Sequence, residues 1–355
     1  MFMRRIFYAS TLAITLASLA AFASEAGAQT RRGAQAPRTG GAATTKAPAT
    51  QAVVVESVPL PASDALLAVD LDKLFKEVVP RSLAGDPARL AQINADVDQF
   101  KTRTGLDARA FDRLVIGARI VRLESGALKL DNVTAVARGR VDASALGASV
   151  RAASQGAVAE QAYGGKTVYV SAVNDTIKVF GLARVRLKEL AVVALDSETI
   201  ALGEPEDVRA AIDAHAGRRP RADMGMLVLP KGPNDIIAFG GNVPAGALAG
   251  VETGLSGLDR AVSSIQGFYG SVASVPTGIQ LMTTLRATTA ADAKQLFDSL
   301  DALRQIAPGL VAMAGDKAKF AKNALNTLKI TTKSNEVQLR LEVPHSDLTT
   351  LLRGL

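Results

Sequence analysis

The chain contains no cysteine and no tryptophan, and it has only two histidines and four tyrosines. Without cysteine there is no disulfide, no thiol nucleophile, no Cys-ligated zinc or iron–sulfur centre, and no lipid anchor of the kind that needs a cysteine. His215 and His345 stand 130 residues apart with no H-x-x-x-H spacing, so neither begins a recognisable zinc motif. Scarce aromatics argue against ligands that bind by ring stacking, sugars and single-stranded nucleic acid above all. No nucleic-acid partner is expected. Beyond the first 28 residues no apolar run reaches the ~18 residues of a spanning helix.

What is present begins with an export signal. Met1 to Tyr8 carries Arg4 and Arg5 and no acid, an apolar run extends from Ile6 to about Ala23, and small residues stand in A-x-A spacing at Ala21/Ala23 and Ala26/Ala28. Basic, apolar and small-residue parts in that order make a secretory signal peptide, residues 1–28, with cleavage expected after Ala28 or alternatively after Ala23. The rival is an uncleaved anchor, but the run is short and rich in Ala, Ser and Thr. The expected location is therefore periplasmic or extracellular, with no membrane span after cleavage.

Residues 29–60 are rich in Ala, Thr, Gly, Pro and basic residues, a composition that buries little apolar surface and reads as a disordered linker. Its one hydrophobic cluster is Val53 to Val55. The remaining 295 or so residues suffice for one large or two medium domains. Gly217-Arg218-Arg219-Pro220-Arg221 reads as a loop and a boundary, which divides the chain into domains over 61–220 and 221–355. The formal charge is +7, and removing the leader takes away two arginines and one glutamate to leave +6. That mild excess suits anionic cell-envelope components: lipopolysaccharide, phospholipid head groups or acidic wall polymers.

Periodicity predicts an α+β fold, antiparallel sheets with helices packed on one face, arranged as two similar subdomains. A buried strand over 64–71 leads to a short helix stopped by Pro80. Asp86 and Pro87 open a helix whose Leu90, Ile93, Val97 and Phe100 share a face, and Gly105 closes it. Strands are expected at 113–122, 132–140, 166–172, 177–183, 190–195 and 199–203, with a helix at 143–153 capped by Asp142 or Ser144. A helix opens at Glu204-Pro205-Glu206-Asp207 and runs to about His215. Later come short apolar strands at 224–229 and 235–240, a helix over 244–263, strands at 267–274 and 278–287, and a helix over 289–306 ended by Pro308. A hairpin follows, with Leu328, Ile330 and Thr332 facing Val337, Leu339, Leu341 and Val343 and with charges on its wet side. A last helix starts at Ser346.

No chemical motif stands. Gly164-Gly165-Lys166-Thr167 resembles the end of a P-loop, but Glu160 occupies the place of the first glycine and a strand, not a helix, follows. Ser256 in Gly254-Leu255-Ser256-Gly257 misses the nucleophile elbow by one residue. Asp70/Asp72 read as capping residues and Asp96/Asp98 as solvated charges. No catalytic, cofactor-binding or metal-ligating residue is assigned, and no cofactor is expected.

At Phe111-Asp112-Arg113-Leu114-Val115-Ile116-Gly117, Tyr163-Gly164-Gly165-Lys166-Thr167-Val168-Tyr169-Val170 and Gly203-Glu204-Pro205-Glu206-Asp207-Val208-Arg209-Ala210, the chain resembles a family of uncharacterised exported bacterial proteins of acidobacterial type. The resemblance implies an exported soluble domain and carries no functional residues. The reading that follows is a non-enzymatic envelope protein that binds or scaffolds. Alternatives are a binder of anionic envelope polymers through a basic surface, a carboxylate-dependent hydrolase and an apolar-ligand carrier.

Overall fold

The computed structural model describes residues 58–347 except 124–127, 140–141, 155–156, 180–182, 224, 226–233, 252–255, 314–323 and 346. The expected signal peptide and most of the expected linker lie outside these residues. The fold begins within the expected linker: Leu60 is fully buried, Val58 packs beside it, and Pro61 bridges to Arg221.

Strand β1 (Ala65–Asp70) is followed by a three-part helix, α1: an α-turn at Leu71–Lys73, a π-turn at Leu74–Val78 and an α-turn at Val79–Ser82. Pro80 does not stop it. The Val79 N–H bonds back to Leu74 O, so the ladder is already widened where the proline nitrogen brings no donor, and Leu83 N–H then reaches Val79 O at 3.1 Å. Helix α2 (Pro87–Thr104) matches its sequence signals. Asp86 Oδ1 accepts from Arg89 N–H at 3.1 Å, Gly105 ends the helix, and Ile93 and Val97 are buried.

Next come β2 (Phe111–Arg122), β3 (Leu128–Gly139), α3 (Ala143–Ala153), β4 (Val158–Tyr163), β5 (Lys166–Val179), β6 (Ala183–Ala194), β7 (Thr199–Gly203) and α4 (Pro205–His215). Asp142 caps α3 by accepting from Ala145 N–H. Two expectations change here. Residues 158–163 form a strand, hidden in the sequence by the polar pair Glu160-Gln161. The strands expected at 166–172 and 177–183 are largely one long strand, bent by an irregularity between Ala172 and Asp175.

The second half holds β8 (Asp235–Asn242), α5 (Ser256–Ser263), β9 (Ile265–Val275), β10 (Gly278–Ala287), α6 (Ala290–Met313), β11 (Lys329–Lys333) and β12 (Glu336–Pro344). The expected helix over 244–263 shrinks to α5. Gly246 and Gly250 take φ values of +77° and +73°, which break a right-handed helix into turns. Helix α6 runs on past Pro308, and Thr289 and Asp292 cap it reciprocally. The expected strand at 224–229, apart from Gly225, and the last helix from Ser346, apart from Asp347, lie outside the described residues.

All named strands join one antiparallel sheet of twelve, ordered β11-β12-β10-β9-β8-β1-β2-β3-β7-β6-β5-β4. The protein is therefore α+β. From the central β1–β8 junction outward, the first half runs β1-β2-β3-β7-β6 and the second β8-β9-β10-β12-β11. Helices fall at matching points, with Pro205 after β7 and Pro344 ending β12. The β4–β5 hairpin is added at one edge. The boundary expected near residue 220 falls between α4 and β8, and β8 pairs with β1 over Ile237–Gly241.

Adjacent residues divide between two layers. Leu114, Ala137, Val192 and Ile200 join a core under α1, α2 and α3, whereas Val115, Val136, Val193 and Ala201 join another under α4 and the 58–61 segment. The core under α5 and α6 shares Leu67 and Ile237 with the α1–α3 core, so those two form one continuous layer. Helices thus cover one face of the whole sheet, and α4 adds a second cover over the first half. In the second half the opposite face is wet toward β10 and β12, carrying Gln280, Arg286, Glu336, Arg340 and Glu342, whereas Ala238, Ser271 and Thr284 on the same face are buried.

Candidate anion-binding surface

Helix α4 builds a heavily charged corner among the described residues. Its first turn carries Glu206 and Asp207 near the positive end of the helix dipole, and Val208, Ala211 and Ile212 anchor it on the sheet. The spacing of Arg209 and Asp213 puts both on one side, over the edge strand β4. Arg209 Nη2 donates to Gln161 Oε1 at 2.6 Å, and its guanidinium lies 5.7 Å from the Tyr163 ring centroid. Tyr163 OH donates to Asp213 Oδ2 at 2.8 Å.

Past His215 the chain turns back on itself. Arg218 N–H bonds to Asp213 O at 2.8 Å, and Arg221 Nε and Nη2 donate to the carbonyls of Ala214 and His215. Arg221 therefore closes the helix end. Arg218 reaches Asp213 Oδ1 through Nε at 2.9 Å and Nη2 at 2.7 Å, and Arg219 Nε stands 3.7 Å from Oδ2. Arg218 also lies over the β4–β5 turn, where any side chain at Gly164 would come within 2.7 Å of its Nη2. Lys166 pairs in register with Tyr163 and so shares its face. Hydrogen bonds from Arg218, then from Tyr163, hold the Asp213 carboxyl below the usual carboxylate range. That carboxylate in turn pushes the Tyr163 phenol up.

Several other cations each meet one carboxylate: Arg151 with Glu160, Arg286 with Glu336, Lys294 with Asp298, Arg304 with Asp301. At this corner one carboxylate serves two guanidiniums, and the Arg218 and Arg219 side chains remain 50% and 61% exposed. Half-exposed guanidiniums with spare donors are the groups that grip phosphate and carboxylate. In the sequence, 217–221 reads only as a loop and a boundary. Three arginines within five residues were the available signal.

The motif candidates disperse. Gly164 and Gly165 form a two-residue turn, both at positive φ, and Lys166 starts β5. Asp70 caps α1 through Lys73 N–H, Asp72 pairs with Lys76 and Asp98 with Arg109. Ser256 opens α5, preceded by residues outside those described. His215 ends α4, and His345 follows β12 with its N–H on Thr277 O. Among the described residues no three His, Asp or Glu side chains are placed to hold a metal ion, and no helix is long and apolar enough to cross a membrane. The tyrosines Tyr163, Tyr169 and Tyr269 each carry an arginine over the ring, which occupies a face that a stacked ligand would need.

One carboxyl that the sequence marks only as an acid in the first turn of α4 is buried. Asp207 is 6% exposed; burial pushes its carboxyl up despite a hydrogen bond from Asn132 Nδ2 at 3.1 Å, and Glu204, Asp131 and Glu206 add to the rise. Asn132 takes a φ of +50°, so the pair fastens the irregular part of β3 to the start of α4. A carboxyl so enclosed has a structural task.

No protein-family model and no curated protein matches the chain. Among solved structures, crystal form III of TP0453 superposes with a TM-score of 0.46 at 8% identity, covering 85% of this chain and 99% of that one. Crystal form I of the same protein gives 0.42 at 8% identity, covering 85% and 98%. Likeness at that level establishes neither shared ancestry nor shared activity.

Proposed function

We propose that this is a non-enzymatic exported protein of the cell envelope that binds an anionic polymer through the Arg209/Arg218/Arg219/Lys166 corner. The observation that carries the reading is the sharing of Asp213 between two half-exposed guanidiniums, which leaves cationic donors in excess at one place. The secretory features of residues 1–28 and the basic linker support delivery to a compartment whose polymers carry phosphate and carboxylate. The resemblance to uncharacterised exported proteins is consistent with that destination.

Cosedimentation with lipopolysaccharide micelles and with purified cell wall across a salt series tests it. Screening shortens from about 10 Å at 0.1 M salt to about 3 Å at 1 M, so the bound fraction should fall steeply over that range. Binding unchanged by salt, or none at low salt to either material, would overturn the proposal.

A further inference from the structure

The outer side of β4 ends the sheet, with β5 as its one neighbour among the described residues. Gly164 and Gly165, with φ of +56° and +77°, make the two-residue turn that leads into β5. In such a hairpin the flanking pair, Tyr163 and Lys166, exchange both main-chain hydrogen bonds. Main-chain groups of Ala159 and Gln161 therefore also face β5, and those of Val158, Glu160 and Ala162 face outward. Ala159, Glu160 and Ala162 are exposed.

We propose that this edge pairs with the same edge of a second copy, antiparallel about Gln161, joining two sheets into one. In that register Glu160 lies opposite the partner's Ala162, and both present outward main-chain groups able to exchange hydrogen bonds. Ala159 lies opposite the partner's Tyr163, a small residue against a large one. Gln161 meets its own copy at the two-fold axis, each side chain holding its own Arg209, and among the residues of β4 no like charges are opposed. Glu160 is held by Arg151 at 2.7 Å, so the strand carries no unpaired carboxylate into the junction.

The opposite edge argues the case in reverse. Self-pairing of β11 about Thr331 would set Lys329 against the partner's Lys333, a like-charge pair that destabilises a ladder. Edge lysines are a common device against such pairing. Strand β4 has none, and no proline.

Sedimentation of residues 29–355 between about 1 and 100 μM should show a mass rising from monomer to dimer, as suits a small interface. Because the chain lacks cysteine, Gln161→Cys should give a disulfide-linked dimer on mild oxidation, and Thr331→Cys should not. Ala162→Pro removes one outward N–H and leaves the β4–β5 ladder intact, so it should yield a monomer with an unchanged circular dichroism spectrum. Gln161→Lys should do the same by opposing two cations, and it serves if the proline variant fails to fold. A monomer at every concentration, a dimer that Gln161→Cys does not cross-link, or one that survives both Ala162→Pro and Gln161→Lys would overturn the proposal.

Discussion

Strands in the two halves of the sheet meet water differently. In the first half, Val192 and Val193, or Ile200 and Ala201, are buried on opposite faces of one strand, because α3 covers one side and α4 the other. In the second half, β12 buries Val337 and Val343 and gives its alternate positions, Gln338 and Arg340, to solvent. The same strand order therefore supports two surfaces: a doubly covered slab that carries the arginine corner at its margin, and a half-covered slab on which Arg286 pairs with Glu336 and Arg340 with Glu342.

The contrast breaks most visibly under a buried charge. Val193→Asp places a carboxylate in the core under α4 and should cost more than about 4 kcal/mol, enough to abolish folding, whereas Gln338→Asp on the wet face should stay within about 0.5 kcal/mol. Urea titration separates the two outcomes. Truncation of the cover itself comes next: Ile212→Ala should cost about 2–5 kcal/mol, with the size set by how far α4 settles into the space.

A smaller effect comes from the buried acid at the start of α4. Its carboxyl is raised in the folded state, so the fold holds that proton more tightly than the unfolded chain does, and ionisation weakens the structure as pH rises past the ordinary aspartate range. Asp207→Asn should therefore raise Tm at pH 7 by about 2 °C. The gain should vanish by about pH 3, where the aspartate is protonated folded or unfolded.

These differences were unevenly legible in the sequence. Alternation from Val337 to Val343 exposed the one-sided hairpin directly, and Asp86, Pro87 and Gly105 bounded α2 to the residue. Unbroken apolar runs such as Leu190 to Leu195 announced burial but not which helix lay on each side. Pro80 and Pro308 misled because a lone proline removes one donor and a helix supported by packing tolerates the loss. Strand β4 was hidden by Glu160 and Gln161, whose polar heads are held by Arg151 and Arg209 from helices on opposite faces. No local pattern records such partners. The arginine corner was visible as composition in 217–221, and its meeting with Lys166 and Arg209 depended on the return of α4 over the β4–β5 hairpin.

The most direct test of the central claim compares two charge-matched double variants in lipopolysaccharide binding at about 0.1 M salt, with melting curves confirming that both fold. Arg218→Ala/Arg219→Ala removes two cations from the corner, and Lys294→Ala/Arg304→Ala removes two that are paired on α6. A local site predicts at least a roughly tenfold loss for the first, about 1.4 kcal/mol, and less than about twofold for the second. Equal losses would show that net charge alone attracts the polymer and would contradict the assignment of the corner.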